Sequence, residues 1–255
     1  MNPTVHLKVW GDWACFTRPE MKVERVSYGV MTPSAARGIL EAVFWEPQMY
    51  FTISSITIIK KGTWTSVRRN EVQNTISPRT AKQWMEGKKP IEPLHAGGGA
   101  PDATQRNMLA LKDVGYMISA EIATTELATR PHDTAQKYAH EFKRRARLGK
   151  CYHRPALGMR EFAADFIWVD DHQETLKNAN KDPYNEDHGL MLYDVFSPME
   201  RKKGFMWMPQ KNQQKKNTPA YSGQLTKPRP CYFRAKVTQS QLLCHPSKVD
   251  IIYAA

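Results

Sequence analysis

The alternation of apolar and polar positions predicts the first elements of the chain. At the N-terminus every second residue is apolar, namely Val5, Leu7 and Val9, as in a strand that lays one face on a core. Thr32 and Pro33 then supply an N-cap and a first-turn proline. Before Pro47, apolar residues recur at helical spacing: Ala36, Ile39, Leu40 and Val43. A strand followed by a helix is therefore expected.

Later patterns complete the order β, α, β, β, α, β. The run from Tyr50 to Ile59 is β-branched and aromatic, and alternation returns between Tyr116 and Ile122. A second helix can begin at Asp133 or Thr134, and its apolar stripe consists of Ala135, Tyr138, Ala139, Phe142 and Ala146. A fourth strand is expected from Phe162 to Val169. This order is that of the ferredoxin-like fold of RNA-recognition modules. We predict an α+β fold, with a ferredoxin-like (RRM-type) RNA-binding domain over residues 1–170.

Two regions lie outside this core. The insertion at about residues 60–111 contains VRRNEV (67–72) and a triple glycine (97–99), which we interpret as a flexible hinge. Residues 171–255 hold a polar stretch and then short strand-like runs at Leu190–Phe196, Gly204–Met208 and Tyr232–Val237. These runs predict a small C-terminal antiparallel β-sheet. The loop from Gln210 to Lys216 is interpreted as a solvated connector.

The charge of the chain points to an anionic partner. Lys and Arg number 37 against 25 Asp and Glu, a formal net charge of +12 over 255 residues. Such a field concentrates polyanions, so nucleic acid is the first expected partner, while a basic surface kept for solubility is the alternative. No apolar segment reaches the length of a membrane span, and the four cysteines form no CxxC pair. We therefore expect a cytoplasmic protein with reduced thiols and no membrane partner.

The sequence indicates neither a cofactor nor a metal site. The triple glycine lacks the GK[ST] that follows a phosphate-binding loop, and no HExxH motif is present. Asp170 and Asp171 precede a polar segment and are interpreted as part of a loop. Acid–base chemistry without a metal is the expectation if the protein cuts RNA.

Basic residues concentrate in two sets. At the end of the second helix, FKRRARLGK (142–150) carries more cations than a helix dipole requires, which favours a phosphate track: Lys143, Arg144, Arg145, Arg147 and Lys150. The second set consists of Arg18, Lys22, Arg25, Arg68 and Arg69. It is interleaved with Trp13, Tyr28 and Trp64, whose rings could stack the unpaired bases of looped RNA, although any one of these aromatics is more often part of a core. Lys137, His140 and Arg144 share one side of the second helix. His140 could transfer protons there, although a lone helical histidine is usually structural or merely exposed.

Four blocks of the sequence resemble the Cas5 family of CRISPR-associated proteins, most closely its type I-C variant, Cas5d. They are RPEMKVERVSYGVMTPSAARGILEAVFWEP (18–47), VRRNEV (67–72), LKDVGY (111–116) and FKRRARLGKCYHRPALGMREF (142–162). The resemblance implies sequence-specific, metal-independent cleavage of CRISPR precursor RNA at the base of the repeat hairpin. It also implies that the protein keeps the 5′ handle in a surveillance complex (Cascade) with backbone and large subunits, where target DNA is a further partner. A non-catalytic scaffold that binds the handle is the alternative.

The resemblance also implies site residues. The family's cutting site combines an aromatic or histidine residue at the end of the first helix with a Lys-His pair at the start of the second. Here these positions hold Phe44, Lys137 and Tyr138. Phe44 has no proton to transfer, so Tyr138, His140 or Tyr50 would have to do so. The fourth block adds Arg160 to the expected RNA-binding residues.

Overall fold

The computed structural model describes residues 2–204 and 229–253, which form nine strands and five α-helices. The strands are β1 (Thr4–Ala14), β2 (Met49–Lys60), β3 (Thr63–Val72), β4 (Ala103–Thr124), β5 (Asp165–Trp168), β6 (Glu186–Asp194), β7 (Cys231–Thr238), β8 (Gln241–Leu243) and β9 (Ile252–Tyr253). The helices are α1 (Pro33–Val43), α2 (Pro78–Met85), α3 (Ala135–Arg147), α4 (His172–Ala179) and α5 (Pro198–Lys203).

All nine strands belong to one large antiparallel sheet. Its main path is β5-β1-β4-β2-β8-β7-β6, with β3 paired to β4 and β9 paired to β7. The small C-terminal antiparallel sheet predicted from the sequence is therefore a continuation of the main sheet. The strands β6, β7 and β8 do pair antiparallel, but β8 also pairs with β2 from Ser55↔Leu243 to Thr57↔Gln241 and so continues the main sheet. The fold is mixed α+β.

The two predicted long helices are confirmed, together with their caps. The side chain of Thr32 accepts a hydrogen bond from the Ala35 amide at 3.2 Å, and Pro33 is the first residue of α1. Thr134, and not Asp133, caps α3 by accepting from the Lys137 amide at 3.3 Å. Both helices pack on the core, where the Phe142 ring lies 5.4 Å from Phe51 and 6.3 Å from Trp168 between centroids.

The predicted insertion is built as an arm on the sheet. The strand β3 pairs with the first half of β4 from Thr63↔Lys112 to Val72↔Ala103, and α2 and the triple glycine lie between these strands. A small second core fixes the base of the arm; it contains Trp13, Cys15, Val67, Met108, Ala110, Met159 and Phe162. The third predicted strand is thus only the end of the 22-residue strand β4.

The helix α4 lies on the face of the sheet opposite the one that packs against α1 and α3, and the sequence pattern did not predict it. Asp171, interpreted as a loop residue, accepts from the amides of Gln173 and Glu174 and begins this helix. His6, on the face of β1 opposite Leu7, stacks its ring on His172 at 4.2 Å. None of the helices in the described ranges is long and apolar enough to cross a membrane. The predicted loop Gln210–Lys216 and the run after Gly204 lie outside the described residues.

Candidate functional site

The end of α1 is held by α3 and by the loop that follows α3. The Arg145 Nε donates to the carbonyl oxygen of Val43 at 3.0 Å. The amides of Tyr152 and His153 both donate to the carbonyl oxygen of Ala42, at 2.8 and 3.3 Å. The last carbonyls of a helix lack partners within the helix, and these three donors supply them. The loop at 152–153 is therefore fixed beside Phe44, the C-cap of α1.

Two cavities open at this junction, and we call them together the α1 groove. The first has a volume of about 580 Å³ and is lined by Glu41, Phe44, Trp45, Glu46, Arg145, Tyr152 and His153. The second, of about 690 Å³, shares His153 and is also lined by Thr17, Thr32, Ser34, Arg154 and Arg160. Both arginines of the second cavity are exposed, so an anionic ligand could reach them.

The three residues implied as a cutting site do lie together. The Phe44 ring is 6.5 Å from the ring of Tyr138, and the Lys137 Nζ is 5.4 Å from the centroid of the Tyr138 ring. Lys137 and His140 are exposed on α3, whereas Phe44 is nearly buried at the wall of the first cavity. Tyr50 lines a different cavity with Arg37 and Arg201. Phe44 and Lys137 thus both lie next to Tyr138, an arrangement that we call the corner, and Phe44 also lines the α1 groove.

The expectation that Tyr138 transfers a proton is wrong, because its hydroxyl is buried and already bonded. Its side chain is buried, with 1% exposed, and its hydroxyl donates to the Asp133 Oδ1 at 2.9 Å. Burial and then the hydrogen bond to the Asp133 carboxylate raise the pKa of the Tyr138 phenol well above its usual value. The phenol therefore stays protonated and occupied, and it anchors the start of α3 instead of facing solvent.

Several basic side chains at the end of α3 are paired with acidic side chains, whereas a free phosphate track would leave them open to RNA. Asp170 accepts two hydrogen bonds from the Arg147 Nη2, at 2.6 and 2.8 Å, and lies 3.5 Å from the Lys143 Nζ. The Glu141 carboxylate accepts two hydrogen bonds from Arg144, from Nε at 2.8 Å and from Nη2 at 2.7 Å. The Trp168 indole and Arg147 hold the pKa of Asp170 below its usual value. Local pairing therefore accounts for much of this cluster, and a phosphate has to compete with Asp170 and Glu141.

The second basic set divides in two. Arg25 and Arg69 meet at Met159, with their Nη1 atoms 3.6 and 3.9 Å from its sulfur, and Arg69 also pairs with Glu71 and Glu161. Lys22 and Arg68 are exposed.

Tyr28 is corrected as a stacking platform. It is 2% exposed, and its hydroxyl accepts from the Leu192 amide, while the Arg18 guanidinium lies 4.7 Å from its ring centroid. Of the other two aromatic candidates, Trp13 stacks on Phe162 in the small core and Trp64 stays 47% exposed.

Sequence reasoning missed Tyr152, His153 and Arg154 as groove residues. They lie inside a block that carried the family resemblance, but no local pattern distinguishes them. They come close to Phe44 only because this loop docks on α1; Tyr152 lies 108 positions after Phe44 in the sequence.

Comparison with known proteins identifies the family. The sequence model of the Cas5d family, described as CRISPR-associated protein (Cas_Cas5), matches residues 4–243. The CRISPR pre-crRNA endoribonuclease Cas5d of Mannheimia succiniciproducens is 43% identical over 196 residues, which cover 76% of this chain and 86% of that protein. Its counterpart in Thermus thermophilus is 41% identical over 191 residues, covering 74% of this chain and 72% of that protein. A crystal structure of a CRISPR-associated protein has a TM-score of 0.61 at 17% identity, covering 100% of this chain and 97% of its own, and so shares the fold. The chain therefore belongs to the Cas5d family of CRISPR-associated proteins.

Proposed function

We propose that this chain is a sequence-specific, metal-independent endoribonuclease that cuts CRISPR precursor RNA at the repeat hairpin. Its two relatives bear the name CRISPR pre-crRNA endoribonuclease. The observation that carries the proposal is the corner formed by Phe44 and Lys137 beside a groove lined by the exposed Arg154 and Arg160. Guanidinium groups bind phosphates in pairs of hydrogen bonds, and the exposed ring of Tyr152 in the same groove can stack on an unpaired base.

The proposed reaction is attack of a ribose 2′-hydroxyl on the adjacent phosphate. The ammonium of Lys137 would stabilise the charge that builds on the phosphorane oxygens. The reaction leaves a 2′,3′-cyclic phosphate and a 5′-hydroxyl. Within the described ranges Lys137 makes no ion pair with an acidic side chain, so its charge is available to RNA.

A ferredoxin-like RNA-binding unit over residues 1–170 is the second part of the proposal. The strands β5, β1, β4 and β2 are adjacent in this order, and α1 and α3 pack on the core beside them, which supports the assignment. The residues after it would extend the sheet. We propose that the RNA contacts include Arg160, Arg154, Lys22 and Arg68, which are exposed.

A non-catalytic scaffold that holds the 5′ handle is the second candidate function. It is favoured by one finding, since neither Phe44 nor the buried Tyr138 offers a transferable proton. In both cases the protein would join the backbone and large subunits of a type I-C surveillance complex, with target DNA as a further partner there.

Cleavage in EDTA separates the two functions. The purified protein is incubated with its cognate repeat hairpin and, in parallel, with a scrambled RNA of equal length. A specific cut with cyclic-phosphate ends supports the endoribonuclease, and tight binding without a cut supports the scaffold. Binding should weaken steeply with salt because neutralised phosphates release counterions. Equal and weak binding to both RNAs would contradict both functions.

A further inference from the structure

We infer that His153 is the proton-transfer residue of this cutting reaction, an assignment that rests on the endoribonuclease function proposed above. His153 lies in the wall of both cavities of the α1 groove, one of which contains Phe44. The position of Phe44 lacks an ionisable group, and the phenol of Tyr138 is buried against Asp133. The loop after α3 brings an imidazole to the wall of the groove beside Phe44, where it can serve as the base.

The main chain of His153 is fixed by hydrogen bonds, whereas its ring has only an aromatic contact among the residues that the structure describes. Its amide and that of Tyr152 are both bonded to the Ala42 carbonyl, which holds the loop against the end of α1. Within the described ranges the imidazole nitrogens make no hydrogen bond or ion pair, and the ring contacts Tyr152 edge-on at 5.9 Å. A base must keep an unoccupied lone pair, and imidazole is the side chain that changes charge near neutral pH.

One side of His153 suits an RNA phosphate. Arg154 and Arg160 line the second cavity, whereas the first cavity holds Glu41 and Glu46, and its one arginine, Arg145, is bonded to the Val43 carbonyl. Tyr152 is 84% exposed, so its ring offers a face on which an unpaired base can stack next to the imidazole. His140, the histidine favoured by the helical spacing, lines neither cavity, and the same is true of Lys137, so His153 is the histidine that the groove itself presents.

The proposed step is balanced without a redox partner. The neutral imidazole of His153 accepts the proton of the 2′-hydroxyl as the bond between O2′ and phosphorus forms. The bond between phosphorus and O5′ breaks, and the leaving oxygen takes a proton from water. The imidazolium then returns its proton to water, which restores the base and leaves a cyclic phosphate and a 5′-hydroxyl.

The test is single-turnover cleavage of the repeat hairpin at saturating protein in EDTA. His153→Ala should be slower than the parent on the order of 10² to 10⁴-fold, the range of general base catalysis, with an unchanged Kd for the RNA. Added free imidazole should restore part of the rate. The variant should also lose the part of the pH dependence of the parental rate that the base supplies. The matched control is His95→Ala, an exposed histidine outside both cavities, which should cut like the parent.

Several outcomes would overturn the assignment. If the parent cuts and His153→Ala cuts equally fast, His153 is not the base and the endoribonuclease function stands. His153 is likewise excluded as the base if His140→Ala abolishes the cut while His153→Ala keeps the parental rate. A slow His153→Ala variant that imidazole does not accelerate and that keeps the parental pH profile indicates a positioning or binding role. A parent that binds the hairpin but never cuts it removes the proposed function itself, and the catalytic role of His153 with it.

Discussion

The guanidinium of Arg145 donates from Nε to the carbonyl oxygen of Val43 at 3.0 Å, so a cation expected to contact RNA instead joins α3 to the end of α1. Its neighbour Arg144 lies on the exposed side of the same helix and pairs with Glu141. Two adjacent arginines of one basic cluster thus have different roles, one in the junction beside the α1 groove and one on the surface. This difference can be measured.

Arg145→Ala should destabilise the fold, and Arg144→Ala should not. The first change leaves the carbonyl of Val43 without its partner at a part-buried junction, a loss of about 1–3 kcal/mol in the free energy of unfolding. The second removes an exposed ion pair, so the unfolding midpoint should stay near that of the parent. Urea denaturation of both variants measures the difference. Equal midpoints for the two variants would show that the contact between Arg145 and Val43 contributes nothing.

A network of four charges, centred on the buried Asp194, fastens the later part of the sheet to α1. The Arg37 guanidinium reaches Asp194 through bonds of 2.8 and 3.1 Å, and Arg201 reaches it at 3.2 Å. Glu41 accepts from both arginines. Asp194→Asn removes the negative charge that faces two part-buried guanidinium groups and should lower the free energy of unfolding by about 3–5 kcal/mol. Asp187→Asn is the matched control, since its pair with Arg234 is exposed and the unfolding midpoint should hardly move.

Acid should release the same network. Burial alone would raise the pKa of Asp194, but Arg37 and Arg201 outweigh it and hold that pKa below its usual value. Because the pKa is lower in the folded than in the unfolded chain, the stabilisation is present above the ordinary aspartate range. It is lost as the pH falls below about 4. The free energy of unfolding of the parent should drop in this range, and that of Asp194→Asn should drop less.

His6 should make the protein sensitive to mild acid. Burial, and then the charge of the stacked His172, lower the pKa of His6 from 6.5 to about 4. The unfolded chain binds this proton more readily, so the contribution of His6 is present above pH 6.5 and is lost as the pH falls toward 4. His6→Asn stays neutral and should flatten the fall in unfolding free energy across this window, while His95→Ala should follow the parent. A parental stability that is constant between these two pH values would contradict the pKa shift.

How much of the structure can be predicted from the sequence depends on how far apart along the chain the interacting residues lie. The caps and apolar stripes of α1 and α3 are set by residues within four positions of one another, and both helices were predicted with their caps. The burial of Tyr28 and the joining of β8 to β2 depend on partners more than 160 positions away, Leu192 and Leu243, and no local pattern contains them. The same holds for the α1 groove, because Tyr152 and His153 reach Phe44 only through the docking of a loop on a distant helix. Family resemblance located the corner of Phe44 and Lys137, whereas local spacing favoured His140.

Lys137→Ala should slow cleavage without weakening RNA binding in proportion. An ammonium within hydrogen-bonding reach of the phosphorane oxygens stabilises charge that exists only in the transition state, and removing such a group costs on the order of 10² to 10³ in rate. Tyr138→Phe should instead lower the unfolding midpoint, since it removes the hydroxyl that donates to Asp133, and should leave the cleavage rate near that of the parent. Single-turnover rates, Kd values for the hairpin and urea midpoints of the two variants make the comparison. Equal rates for Lys137→Ala and the parent would remove Lys137 from the reaction. A large loss of rate in a well-folded Tyr138→Phe variant would show instead that the phenol leaves Asp133 to act on RNA.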